Sequence, residues 1–383
     1  MLQTPFFSIG FRSFFLAATC IAILSPTYWV SVYFNYISYH GTLLPPVSWH
    51  SHEMIFGFVP AMFSGFLLTA SSHWTGQLPI KGKVLATLFA LWCLERIIFL
   101  LPIPPLSQMI LSMSFLLTLT VVLGVYLRQS VKQQLIFTTF LSGFMIAKFI
   151  MLLGAYQKSV LLYIGQDMGL ALIRLLILLI ASRVLPFFIN SRFKPEIKIE
   201  CPKAANLAVI GSALFLLVLI PFNWLSMPSV GIPLYALAAI AVFLQFLYYK
   251  PWYSGKEPMI AILLIGHLWI FFHYILEIVV LFDSSKAFAH PHLHALSAGA
   301  IGCMGIGIMS RVTLGHTGRK ITADKWTKFA FLCVIIGAVV RVLVPILSPK
   351  NFLSSVHHAS GWWTLGYLIF LIRYMKYWLQ PRL

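Results

Sequence analysis

Twelve apolar runs of helical length divide this chain, and they leave little choice of architecture. They fall at roughly 13–34, 50–71, 84–101, 106–127, 134–154, 160–182, 205–224, 230–249, 258–281, 291–311, 327–346 and 355–375. About twenty apolar residues cross a bilayer core as a helix. In hydrocarbon every backbone polar group must be satisfied within the segment, which helices do. Proline-bearing stretches punctuate the runs at Leu44-Pro45-Pro46, Pro102-Ile103-Pro104-Pro105, Pro195, Pro251 and Pro291. Only 9% of the 383 residues are charged, against about 25% in a soluble domain. The expected fold is all-α: a polytopic membrane helix bundle of about twelve transmembrane helices. No polar stretch is long enough to fold separately, so residues 1–383 are read as a single transmembrane domain.

The net charge of +18 does not point to nucleic acid, because the basic residues sit in short loops between apolar runs. That placement orients a membrane protein. With the N-terminus in the cytoplasm, twenty lysines and arginines fall on the cytoplasmic side. Only Lys158, Lys286 and Lys350 fall opposite, and Arg96, Lys148, Arg174 and Arg341 lie inside runs. Both termini are therefore expected in the cytoplasm, with an even number of spans. The first run continues past Cys20 to about Phe34 and reads as an uncleaved span rather than a signal peptide. The five cysteines form no CxxC, so neither a disulfide framework nor a zinc ribbon is expected.

In this topology the histidines gather on one side. His50 and His52 open the second run from outside, followed at once by Glu53. His290, His292 and His294 open the tenth, and His357 and His358 the twelfth. His267 lies near the middle of the ninth, with His273 further out. Ionisable groups within membrane segments mark functional sites, and imidazole suits copper, iron and zinc. A helix advances about 100° per residue, so histidines two apart diverge by about 160°. His50/His52 and His292/His294 can each serve two sites on opposite sides of a helix. His290 and His294 share a face, as do His273 and Glu277. A faint echo links the two H-x-H segments. Each precedes an apolar run that ends in His-(Trp)-Thr-Gly, at His73 and at His316, with gaps of 23 and 24 residues from His50 and His292.

The remaining intramembrane charges are Glu95, Arg96, Lys148, Asp167, Arg174 and Arg341. Structural ion pairs account for them. Alternatively, Arg96 or Arg341 binds haem propionates, and Glu53, Glu277 or Asp167 lies on a proton path. The small-residue run Gly299-Ala300-Ile301-Gly302-Cys303-Met304-Gly305-Ile306-Gly307 suits close helix packing or a flat cofactor. The basic segment Met309 to Arg319 is an orienting loop and lacks phosphate-loop spacing.

Several segments together resemble the NnrS family of bacterial membrane proteins. They are Gly10 to Phe15, Trp49 to Phe58, Gly65 to Ala70, and His73-Trp74-Thr75-Gly76. Arg183 with Pro186-Phe187-Phe188, His292 to Leu296, Gly299 to Gly302 and Met309 to Arg319 complete the set. The resemblance implies a multi-pass bacterial inner-membrane protein that contains haem and copper and protects against nitrosative stress. The layout is also similar to the catalytic subunit of haem–copper oxidases and nitric oxide reductases. It departs in having paired histidines on the twelfth run and none on the sixth and seventh.

The expected function is metabolism or detoxification of nitric oxide by an oxidoreductase that draws on an unidentified electron donor. Cofactor binding is expected at His50, His52, His292, His294, Arg96 and Arg341. Metal ligation is expected among His52, His267, His273, His290, His292, His294, His357 and His358. Glu53 and Glu277 would deliver protons. The other readings are a metal-ion or proton-coupled transporter, a nitric oxide sensor without turnover, and an assembly factor that binds neither cofactor.

Overall fold

A computed structural model describes residues 4–193, 198–285 and 290–382; Pro195 and Lys286 lie outside them. Among these residues are twelve long helices and no strand. They are α1 (Gly10–Tyr33), α2 (Pro46–Thr75), α3 (Lys83–Ile98), α4 (Pro105–Tyr126), α5 (Val131–Gln157) and α6 (Leu161–Phe193). The series continues with α7 (Lys203–Leu219), α8 (Pro228–Tyr248), α9 (Pro258–Phe282), α10 (Pro291–His316), α11 (Lys325–Leu347) and α12 (Phe352–Leu379). Ten are long and apolar enough to cross a membrane, and α3 and α12 are the other two. At 16 residues, α3 is short for a span. The protein is an all-α polytopic membrane protein, and each apolar run becomes one helix.

The ends follow local chemistry. Proline occupies the first turn of α2, α4, α8, α9 and α10, where its missing N–H costs nothing. Gly76, left-handed at φ 67°, closes α2. Asp324 caps α11 by accepting from the Thr327 amide at 2.8 Å. The sixth helix runs eleven residues beyond the expected end at 182. Its extension is pinned by Asn190, which bonds both the carbonyl and the amide of Ile199 at 3.0 and 2.7 Å.

The chain divides into two compact units interleaved in sequence. The first comprises Met1–Leu172, Val312–Lys320 and Leu371–Leu383, and the second Ile173–Arg311 and Ile321–Phe370. In the first unit α1 packs along α2, and α4 contacts both α3 and α5. The α1–α2 approach is close: a Cβ at Gly65 would stand 2.6 Å from the Phe15 ring. The Thr69 hydroxyl accepts from the Phe11 amide at 3.0 Å, at the start of α1. Near the chain ends, the Arg12 guanidinium donates to the carbonyls of Tyr377, Trp378 and Gln380. In the second unit α8 packs on α7 and α9, and α9 lies against the start of α10. The glycine run serves this packing, since Cβ atoms at Gly299 and Gly302 would strike Trp269 and Trp363 at 2.5 and 2.4 Å.

Candidate functional site

Both H-x-H motifs close a short α-helical stretch that opens directly into a π-helical segment. In α2, Pro46–His52 is α-helical and Glu53–Phe58 is π-helical; in α10, Pro291–His294 is followed by a π segment at Ala295–Ile301. π turns are rare and concentrate at functional sites. The sequence echo thus has a structural counterpart at its histidines. At the far end His73 and His316, both in the first unit, bring their rings to 5.7 Å.

In the first unit the H-x-H pair splits as its spacing predicts. His50 stacks on Trp29 of α1 at 4.7 Å, and its Nδ1 lies 3.4 Å from the Ser25 hydroxyl. His52 turns away and is fully buried between Phe56 and Phe99, at 5.6 and 4.5 Å. Its Nδ1 meets Glu53 Oε1 at 3.0 Å, while its Nε2 is buried with no hydrogen-bond partner. Glu53 heads a chain of buried charges. Its Oε2 accepts from Arg96 Nη1 at 2.9 Å. Arg96 Nη2 donates to Glu95 Oε2 at 2.8 Å, and that same oxygen accepts from Lys148 Nζ at 2.9 Å. The Phe115 amide donates to Glu95 Oε1 at 3.3 Å, and Lys148 also donates to the Ser112 carbonyl. Two carboxylates and two cations cancel here, as buried charges must.

This network fixes the histidine. Glu53, ionised against Arg96, can only accept, so the His52 proton sits on Nδ1 and the lone pair on Nε2. A carboxylate behind one ring nitrogen with an unbonded lone pair on the other is the pattern of a metal-ligating histidine. Arg96, expected at a propionate, instead donates to Glu53 and Glu95 through its two terminal nitrogens.

In the second unit the histidines spread out. His267 is fully buried beside Phe246 and Tyr249, at ring distances of 6.5 and 5.4 Å, and its polar neighbour is the Val242 backbone. His273 is bonded on both sides: Arg174 Nη1 donates to Nε2 at 2.8 Å, and Nδ1 donates to the His292 carbonyl at 2.9 Å. Glu277 Oε1 lies 3.7 Å from His273 Nε2, on the shared face that the four-residue spacing predicts. His292 buries an unpartnered Nδ1, and His294 directs Nδ1 to the His290 carbonyl at 2.9 Å. Arg341 covers the Phe352 ring at 5.5 Å. The exposed His357 and His358 rings meet edge to face at 5.9 Å. The expected second metal centre from His267, His273 and the histidines of α10 or α12 is not assembled. Among the described residues no three His, Cys, Asp or Glu side chains converge as a metal-ligand group. Metal ligation at His273 would require displacing Arg174 or opening its bond to the His292 carbonyl.

Comparison with known proteins covers nearly the whole chain. The family model described as NnrS protein matches residues 5–382. No curated protein matches the chain.

Proposed function

The chain belongs to the NnrS family, and from that premise we propose that it is a haem-binding protein of the bacterial inner membrane that acts on nitric oxide. The observation that carries this reading is the buried, unbonded Nε2 of His52, backed through Nδ1 by Glu53. His52 would hold the haem iron through that nitrogen, and His292, with its own buried and unbonded Nδ1, is the candidate in the second unit. When bound, haem iron supplies one-electron chemistry and an open position for a diatomic ligand. The protein's part is orientation. Glu53 holds the His52 tautomer, and Arg96, Glu95 and Lys148 hold Glu53. We therefore assign Glu53 to positioning His52 rather than to proton delivery. For copper the described residues gather no ligand set, and no step is assigned to it.

The test is an optical spectrum of purified protein, oxidised and dithionite-reduced, before and after nitric oxide, with copper quantified on the same sample. A Soret band that shifts with nitric oxide and is lost in His52→Ala is the expected result. Colourless protein from cells supplied with haem precursor and copper would overturn the haem reading and favour a transporter. Consumption of nitric oxide with a reductant separates an enzyme from a sensor.

A further inference from the structure

Arg174 is a buried cation outside the charge network of the first unit. It lies in α6 with 4% of its surface exposed. Its contacts are two: Nη1 donates to His273 Nε2 at 2.8 Å, and its guanidinium covers the Tyr274 ring at 5.1 Å. A guanidinium cannot accept a hydrogen bond, so His273 Nε2 is the acceptor and the imidazole is neutral. Arg174 therefore faces a neutral ring and a π face, and no carboxylate among the described residues makes an ion pair with it. Glu277 approaches His273 Nε2 rather than the guanidinium, and Asp167 stands two helical turns back, about 10 Å along α6. The contrast with Arg96, which holds two carboxylates, is direct.

Two polar groups at this place are buried and unused. Arg174 Nε has no hydrogen-bond partner, and neither has the hydroxyl of Tyr274, a residue with no exposed surface. With Nη1 committed to His273, the opposite edge of the guanidinium, Nε–H beside Nη2–H, is the fork that grips planar oxyanions through two parallel hydrogen bonds. A tyrosine hydroxyl adds one more donor. A lone buried cation with unspent donors calls for an anion.

We propose that Arg174 and Tyr274 form a buried binding site for a planar monovalent anion of the carboxylate or nitrite type. The anion neutralises Arg174, takes the Nε/Nη2 fork in two hydrogen bonds, and accepts a third from Tyr274. His273, locked between Arg174 and the His292 carbonyl, sets the angle of the guanidinium. One chemistry has two sources here: a free small anion, or a carboxylate carried by a prosthetic group. The proposal stands apart from the His52 reading, because it needs neither iron nor turnover.

Thermal unfolding of the full-length protein tests it. Protein from cells grown with and without haem precursor is titrated with sodium nitrite or formate, against chloride at matched ionic strength. A saturable rise in Tm over chloride in both preparations supports the site with a free anion as occupant. A rise confined to the pigment-free preparation supports it with a prosthetic carboxylate as occupant. In either case Arg174→Gln abolishes the rise. Tyr274→Phe, which keeps the ring under the guanidinium, weakens the apparent affinity about tenfold. Glu277→Gln tightens it by removing a nearby negative charge. No rise over chloride in either preparation, or an equal rise in wild type and Tyr274→Phe, overturns the proposal.

Discussion

At the scale of residues, the buried network from His52 to Lys148 sets the strongest expectations. Lys148→Met leaves Glu95 with Arg96 alone and breaks a fully buried ion pair, a change that costs about 3–5 kcal/mol. Chemical denaturation in detergent should show a loss of that size. Glu53→Gln keeps an acceptor for His52 Nδ1–H but removes the charge opposite Arg96. The protein should then unfold more easily while retaining any pigment with an altered reduced spectrum, whereas Glu53→Leu should lose it. Equal spectra in wild type and Glu53→Gln would show that the carboxylate does not tune the ligand. The divergence of His50 and His52 was legible from helical geometry alone, and so was the shared face of His273 and Glu277. The partner of Glu53 was not, because Arg96 lies 43 residues away on another helix. Sequence spacing reports neighbours on one helix and is silent about which helices touch. That is also why Arg96 was expected at a propionate.

At the scale of elements, a π segment follows both H-x-H motifs. A π turn carries one residue more than an α turn and absorbs it while the helix on either side stays in phase. Deleting Met54 removes that extra residue and should convert Glu53–Phe58 to α-helix with His50 and His52 kept in phase with the rest of α2. The expected outcome is a retained His52–Glu53–Arg96 chain and retention of any pigment, with α-helical circular dichroism unchanged; lost pigment would show that the π turn itself shapes the site. Gly57 within the first π segment makes room for Arg96, because a Cβ there would stand 2.0 Å from Arg96 Nη1. Gly57→Ala should therefore weaken the network without touching a charged residue. All twelve apolar runs were legible as helices, since twenty apolar residues in lipid permit little else. The π turns were not, because an apolar span presents no face pattern strict enough to reveal one extra residue.

At the scale of the molecule, the chain does not fold as two consecutive halves. The first unit draws on residues up to Leu172, on Val312–Lys320 and on Leu371–Leu383, enclosing the second unit in sequence. Nothing in composition marks this interleaving, since every run is equally apolar. Its clearest bond is Arg12, whose guanidinium caps the last carbonyls of α12. Arg12→Ala should release that end, and limited proteolysis should then cut after residue 370 sooner than in wild type, with the rest of the chain equally resistant. The same bond also sets a schedule. Arg12 and Tyr377 are separated by 365 residues, and a ribosome adds about 5–20 per second, so the two are born roughly 20–70 seconds apart. For that interval the first helix sits in the bilayer with its arginine unanswered, and the segment bearing Tyr377 must be made before the opening segment reaches its final state.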